Sequence, residues 1–148
     1  VSAIIIGKNE LLINEIKKRK ASIIIVENPR IAFSEVLKIF ETNFKPKKGI
    51  DVSANISRES VIGNNCYVGP NVFIGKNTTI GSNNYIFPGV VIYENVKIGD
   101  NVMIWSGNHI GHHTKIGPNN YLASHVVISG RCEIGKNCYF GVNSSVKE

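Results

Sequence analysis

The residues of this sequence best suited to chemistry are its four histidines, which all lie in one stretch of the second half of the chain. They are His109, His112, His113 and His125. Imidazole exchanges protons near neutral pH and is the commonest general base in enzymes. It also binds zinc, but such a site needs three or four converging ligands, and the spacing of His109, His112 and His113 is too local for that pattern. The cluster therefore predicts general-base catalysis without a metal.

The elements that must position these histidines follow from a repeat of six residues. From Ile50 onward an aliphatic or aromatic residue returns at every sixth position without interruption: Ile50, Ile56, Ile62, Val68, Ile74, Ile80, Ile86, Ile92, Ile98, Ile104, Ile110, Ile116, Leu122, Ile128, Ile134, Phe140 and Val146. Glycine commonly follows this residue, and a small or β-branched residue commonly stands four positions after it. A period of six fits neither an amphipathic helix nor a free strand.

This period is typical of a solenoid in which each unit is a short strand plus a turn. Three units make a triangular coil of 18 residues, with the aliphatic side chains inside the prism and Gly or Asn in the strained turns. The fold class predicted is mainly β, a left-handed parallel β-helix of hexapeptide repeats over residues 50–148. Residues 1–49 lack the repeat, and their strand, helix, strand, helix pattern predicts a small N-terminal α/β domain.

In that front region, Ala3–Ile6 and Ser22–Val26 are predicted to be short buried strands, with a helix over residues 10–20 between them. Asn28 and Pro29 predict the cap and first turn of a second helix. Such a domain could contact a ligand or could cap the end of the solenoid, and both roles remain open.

Stacking of 18-residue coils predicts the neighbours of His112. Glu94 lies 18 residues before it and Gly130 lies 18 residues after it. We expect Glu94 to orient the imidazole from the coil below and Gly130 to present a backbone N–H from the coil above.

Composition excludes several classes of protein. The net charge is +6, but the basic residues are scattered and form no dense stripe with interleaved aromatics, so no nucleic-acid partner is predicted. No apolar run long enough to span a membrane is present, so we expect no membrane insertion and a cytoplasmic location. The three cysteines share the small-residue position of the repeat and are interpreted as buried apolar residues.

The repeat, the segment Ile110-Gly-His112-His113 and the following Ile128–Val146 resemble two groups of hexapeptide-repeat acyltransferases. One comprises bacterial sugar O- and N-acetyltransferases that modify sialic acid or UDP-amino sugars. The other comprises UDP-3-O-acyl-glucosamine N-acyltransferases, which residues 26–40 and 49–54 also resemble. In both groups an acidic residue often follows the catalytic histidine and a second histidine often stands at the position of Tyr121, and this chain departs at both places.

The resemblance implies an acetyl-CoA-dependent transferase acting on an amino or hydroxyl group of a nucleotide-linked sugar, in a homotrimer. His112 would be the general base, the Gly130 amide would stabilise the oxyanion, and Glu94 would support the base. The expected cofactor contacts are Tyr121, His125, Ser129 and Arg131. The expected acceptor contacts are Trp105, Asn108, His109 and His113.

Two alternatives remain open. Acyl-carrier-protein-dependent N-acyltransferases of lipid A synthesis carry an insertion in the β-helix before the histidine, and its absence here favours acetyl-CoA. The other alternative is a non-enzymatic β-solenoid scaffold. The pattern leaves the sugar, the acyl chain length and the choice between N- and O-transfer undetermined.

Overall fold

The structure is a computed structural model, and it describes residues 3–8, 13–14, 22–29, 31–33, 36 and 46–147. The chain divides into two compact units, Val1–Lys45 and Pro46–Glu148.

In the first unit, strands β1 (Ala3–Ile6) and β2 (Ser22–Ile25) pair in parallel, with Ala3 opposite Ser22. Both strands were predicted, but the predicted burial of the second is wrong, because Ile24 and Ile25 are about half exposed. Helical backbone begins at Pro29, and Asn28 Oδ1 accepts the Ile31 N–H at 3.3 Å, as the cap prediction requires. Most of the helix predicted over residues 10–20 lies outside the described residues.

The second unit consists of strands of two residues that recur every six positions. They are β3 (Gly49–Ile50), β4 (Asn55–Ile56), β5 (Val61–Ile62), β6 (Tyr67–Val68), β7 (Phe73–Ile74), β8 (Thr79–Ile80), β9 (Tyr85–Ile86), β10 (Val91–Ile92), β11 (Lys97–Ile98), β12 (Met103–Ile104), β13 (His109–Ile110), β14 (Lys115–Ile116), β15 (Tyr121–Leu122), β16 (Val127–Ile128), β17 (Glu133–Ile134), β18 (Tyr139–Phe140) and β19 (Ser145–Val146).

These strands form three parallel sheets, which are the faces of a triangular prism. The first face holds β3, β6, β9, β12, β15 and β18, the second holds β4, β7, β10, β13, β16 and β19, and the third holds β5, β8, β11, β14 and β17. Every pairing joins residues 18 apart, as in Val91 opposite His109 and His109 opposite Val127. The predicted parallel β-helix and its 18-residue coil are therefore confirmed.

The prism is filled by the residues that define the repeat. Ile74, Ile86, Ile92, Ile104 and Ile110 are fully buried, and the cluster continues through most of the coils. Neighbouring coils are joined by backbone hydrogen bonds close to 2.9 Å long. Each coil thus buries its apolar side chains only against the coils above and below it.

Turns of four residues connect the faces and stack into three corners. The first corner follows first-face strands (residues 87–90, 105–108 and 123–126), and the second follows second-face strands (residues 93–96, 111–114 and 129–132). The third corner follows third-face strands (residues 99–102, 117–120 and 135–138). From residue 65 to residue 143, one residue in each turn has left-handed backbone, and Asn fills most of these positions, as at Asn95 (φ 58°) and Asn119 (φ 59°). Asn and Gly adopt this conformation at low cost.

The last residue of each turn points into the prism. Cys66 and Cys132 occupy this position and are buried, as predicted, while Cys138 is only half-buried. Asn84, Asn108 and Asn120 also occupy it and are buried. Their amide groups hydrogen-bond to backbone atoms of their own coil and of the next.

Candidate active site

The second corner brings together Glu94, His112 and Gly130 on three successive coils. The pairing of Val91 with His109 and of His109 with Val127 sets this register. Backbone hydrogen bonds tie the turn from both sides: the His113 N–H donates to the Glu94 carbonyl at 3.1 Å, and the Arg131 N–H donates to the His112 carbonyl at 2.8 Å. The backbone that carries His112 is therefore held by the coil below and the coil above.

The imidazole of His112 packs directly against Gly130. A β-carbon at position 130 would lie 2.8 Å from His112 Cε1 and 2.9 Å from Nε2, closer than carbon and nitrogen atoms approach without a bond. Gly130 does not have left-handed backbone, so glycine is not required there by conformation. What glycine provides at this position is room for the ring.

His112 also contacts its neighbour in sequence. His112 Nδ1 lies 3.0 Å from His113 Nδ1, with the two rings nearly perpendicular at 86°. One of these nitrogens must donate and the other must accept, since two lone pairs or two protons would repel each other.

Glu94 is stacked below His112 as the repeat predicted, but the expected contact of its carboxylate is not found. Among the described residues, the hydrogen-bond partner of His112 Nδ1 is His113 Nδ1, and the contact that Glu94 makes to this turn is through its backbone carbonyl. In this arrangement the Glu94 side chain makes no hydrogen bond to His112, and its orienting role stays a prediction. Sequence stacking places the residue correctly but leaves the direction of its side chain undetermined.

The amide of Gly130 is not needed for stacking of the coils. Proline, which has no N–H, fills the equivalent turn position at Pro70, Pro88 and Pro118. At Ser82, also equivalent, the N–H instead donates to the Asp100 carboxylate at 2.6 Å. Within the described part of the chain no acceptor is assigned to the Gly130 N–H. This amide can therefore donate to an oxygen that carries negative charge beside the His112 ring.

The first corner carries a separate group of side chains. Trp105 stacks on Phe87, with ring centroids 4.4 Å apart and planes 7° apart, as the spacing of one coil predicts. Among the buried side-chain nitrogen and oxygen atoms of the described residues, Trp105 Nε1 is the one without a hydrogen-bond partner. His125 is exposed one coil above, and its ring lies against Gly107.

Asn108 was expected to contact the sugar that accepts the acyl group, and the structure corrects this. It is 1% exposed, its side-chain nitrogen donates to the Trp105 and Ala123 carbonyls, and its oxygen accepts the Val126 N–H at 2.8 Å. All of its hydrogen-bonding groups are used inside the prism. The signal was present in the sequence, because Asn108 stands four residues after Ile104, the position that points inward.

The remaining predicted residues surround these corners. His109 is exposed on the second face and stacks on Tyr93 at 5.3 Å, while Tyr121 stacks on Tyr139 on the first face at 5.2 Å. Ser129 and Arg131 flank Gly130 in the same turn. The predicted set is therefore divided between two corners of one prism and the faces beside them, with His112, His113, Ser129, Gly130 and Arg131 together at the second corner.

The third face is polar, and its strands begin directly after the turns of the second corner. It carries Lys97, Lys115 and Glu133, and an ion pair between Lys115 and Glu133 lowers the pKa of that carboxyl below its ordinary value. Among the described residues no three His, Cys, Asp or Glu side chains converge on a point where a metal could bind. The described helical residues include no stretch of the length and hydropathy needed to cross a bilayer.

Known proteins resemble this chain in sequence over part of its length and in fold. The chain is 33% identical over 73 residues to UDP-3-O-acylglucosamine N-acyltransferase of Gloeothece citriformis, covering 49% of this chain and 21% of that protein. It is 47% identical over 67 residues to the enzyme of the same name from Prochlorococcus marinus, covering 44% of this chain and 19% of that protein. The matched segment thus spans about a fifth of these relatives.

Among solved structures, perosamine N-acetyltransferase from Caulobacter crescentus, a histidine variant in complex with CoA and GDP-perosamine, shares the fold with a TM-score of 0.53. Identity is 14%, and the alignment covers 93% of this chain and 69% of that one. The bacterial transferase hexapeptide model, which describes six repeats, matches residues 77–112 and again residues 113–148. Residues 77–148, which include His112, His113 and Gly130, therefore carry the repeats of the bacterial transferase hexapeptide family.

Proposed function

We propose that this chain is part of an acyltransferase that moves an acetyl group from acetyl-CoA to an amino or hydroxyl group of a nucleotide-linked sugar. The observation that carries the proposal is the second corner, where the His112 ring lies against Gly130 and beside an unused backbone amide. A base and an oxyanion donor are the two groups that acyl transfer requires.

The chemistry follows from these two groups. His112 Nε2 takes the proton from the acceptor N–H or O–H as that atom attacks the thioester carbonyl carbon. The carbonyl oxygen becomes an oxyanion and accepts a hydrogen bond from the Gly130 N–H. When the intermediate collapses, the carbon–sulfur bond breaks and the CoA thiolate leaves with the proton that His112 had accepted. The acyl group is then on the acceptor, and both His112 and the Gly130 amide are unchanged.

The turn positions occupied by proline supply a direct test of the amide. Gly130→Pro removes the N–H and places at residue 130 a residue that the fold accepts at Pro70, Pro88 and Pro118. Because any β-carbon at this position crowds His112, the matched control is Gly130→Ala, which keeps the N–H. Loss of one oxyanion donor typically costs about 10²- to 10³-fold in kcat. We expect Gly130→Pro to be slower than Gly130→Ala by that factor, and equal rates would contradict the oxyanion role.

A homotrimer is part of the proposal, because the first and second faces are unlike the third. Tyr139 on the first face is 53% exposed, and Phe73 and Val127 on the second face are 38% and 46% exposed. The third face carries Lys97, Lys115 and Glu133 instead. Two apolar faces per subunit suit a closed assembly in which each subunit contacts two others. Light scattering at micromolar concentration should give three times the mass of one chain, and a monomer would contradict this.

A second donor, an acylated carrier protein, is favoured by one observation: the relatives with 33% and 47% identity are named UDP-3-O-acylglucosamine N-acyltransferase. Against it stands the unbroken phase of six residues from β3 to β19, with no insertion before His112. Product mass should be measured with a panel of UDP- and GDP-linked amino sugars, offered with acetyl-CoA and separately with long-chain acyl carrier protein. Acetylated product with acetyl-CoA supports the leading proposal. Product only with the acyl carrier protein would establish the second donor, and no product with either would favour a scaffold.

A further inference from the structure

At the second corner, His113 fills the left-handed turn position that asparagine fills in most other turns. Twelve residues other than glycine have left-handed backbone in the described part of the chain, and nine of these are Asn. His113 is one of the three exceptions, with φ of 60°. Because asparagine fills this position of the same corner in the two coils below, at Asn77 and Asn95, the turn itself does not call for an imidazole. The side chain of His113 must be explained by what it contacts.

That contact is His112. The two Nδ1 atoms are 3.0 Å apart, and the backbone on both sides is held by the coils below and above through Glu94 and Arg131. A single proton lies between the two nitrogens. If it belongs to His112, then His112 Nε2 carries the lone pair and faces Gly130. If it belongs to His113, then His112 Nε2 carries a hydrogen and cannot accept another proton while neutral.

We propose that His113 is a positioning residue whose Nδ1 accepts the Nδ1–H of His112, fixing the tautomer and orientation in which His112 Nε2 is free to act as a base. The inference rests on the proposed function for its effect on rate, but the pairing itself does not. His113 is exposed, so its own Nε2–H can be satisfied by water, whereas the half-buried ring of His112 depends on the contacts of this corner. An imidazole thus supplies the acceptor that the stacked carboxylate of Glu94 does not provide.

The geometry of the turn suggests two informative substitutions. In His113→Asn the side-chain oxygen is bonded to Cγ, as Nδ1 is in histidine, so an acceptor remains at nearly the same point and the turn keeps its commonest residue. In His113→Gly the acceptor is lost, but the turn remains unstrained because Gly89 and Gly107 fill the equivalent positions with φ of 71° and 70°. Asn119→Gly is the matched control, since it makes the same backbone change at the third corner, away from these residues.

The tautomer of His112 should be read by long-range ¹H–¹⁵N correlation in ¹⁵N-histidine-labelled protein, with the signals of His112 assigned by their loss in His112→Gln. We expect an Nδ1–H tautomer in the wild type and in His113→Asn, and a mixture of tautomers in His113→Gly. This measurement needs no substrate, so it remains decisive if no transferase activity is found. An Nε2–H tautomer in the wild type, or no change in His113→Gly, would overturn the proposal.

Kinetics separate positioning from substrate contact. Loss of one neutral hydrogen bond corresponds to about a three- to tenfold change. We expect His113→Gly to lower kcat by that factor with KM nearly unchanged, His113→Asn to stay within about twofold of the wild type, and Asn119→Gly to match the wild type. If His113→Asn is as impaired as His113→Gly, the residue acts through its Nε2 rather than as an acceptor for His112, and the proposal fails. If the sugar substrate bound His113 directly, KM would rise in both His113 variants, and that result would also contradict the proposal.

Discussion

Replacing Gly130 with alanine tests whether the placement of the His112 ring depends on the space that glycine leaves. The added carbon would lie 2.8 Å from His112 Cε1, whereas unbonded carbon atoms rest at about 3.5 Å or more. The ring must therefore retreat by about 0.7 Å or rotate. A misplacement of about 1 Å can lower an enzymatic rate by about 10²-fold. We expect kcat to fall by roughly ten- to a hundredfold, with the Gly130 N–H still in place.

Stability should respond differently, because the group that gives way is a side chain. Gly130 has no left-handed backbone, so alanine is conformationally allowed and the free energy of unfolding should change by less than about 1 kcal/mol. Gly111→Ala is the contrasting variant at the same corner. Its added carbon would lie 2.4 Å from the Gly130 nitrogen and 2.6 Å from the Ser129 carbonyl carbon, which are backbone atoms. Two coils would have to separate, at a cost of about 1–3 kcal/mol or more.

The assay pairs steady-state acetyl transfer with urea unfolding for the two variants. We expect Gly130→Ala to lose rate but not stability, and Gly111→Ala to lose stability first. A Gly130→Ala protein with wild-type kcat would show that the ring does not need its present position. A Gly130→Ala protein that unfolds as early as Gly111→Ala would show that the corner cannot accommodate a β-carbon at all.

Further predictions concern the base, the core, the cofactor and the third face. His112→Ala should lower kcat by about 10²- to 10⁴-fold while circular dichroism and mass in solution stay unchanged, and a loss under threefold would exclude His112 as the base. Asn108→Ala should leave two carbonyls and one amide unpaired in the core and cost more than about 2 kcal/mol in urea unfolding, whereas an unchanged stability with a raised KM would return Asn108 to the acceptor site. Acetyl-CoA at a hundred times its Kd should stabilise the folded protein by about 2.7 kcal/mol, and no shift in the melting temperature would argue against CoA binding. Since Lys115 lowers the pKa of Glu133, their pair stabilises the fold above the ordinary carboxyl pKa of 4.5 and loses that contribution as pH falls through the lowered value. Lys115→Met should therefore lower the free energy of unfolding slightly at pH 7 and low salt, and leave it unchanged near pH 2. An equal loss at both pH values would refute this role of the pair.

The six-residue phase determined the architecture because each coil needs one inward residue on each face. Every strand of the repeat domain ends at the residue that the phase marked, from Ile50 to Val146, and the pairing of residues 18 apart follows. The same phase also marks the inward position of Asn108, although that residue was interpreted by its chemistry instead. Burial of a side chain on a solenoid depends on its place in the repeat more than on its residue type.

The sequence by itself also placed Glu94, His112 and Gly130 on one corner, because stacking depends only on counting. It did not determine which side chains touch, because torsion angles rather than residue numbers set the direction of a side chain. Only the tertiary structure showed that His112 pairs with His113 and not with the Glu94 carboxylate, and that its ring needs the space at Gly130. Counting along the repeat also separates His125 and Trp105 from His112, because their turns follow strands of a different face. A short stretch of sequence can hold residues of two separate surfaces when the chain turns every six residues.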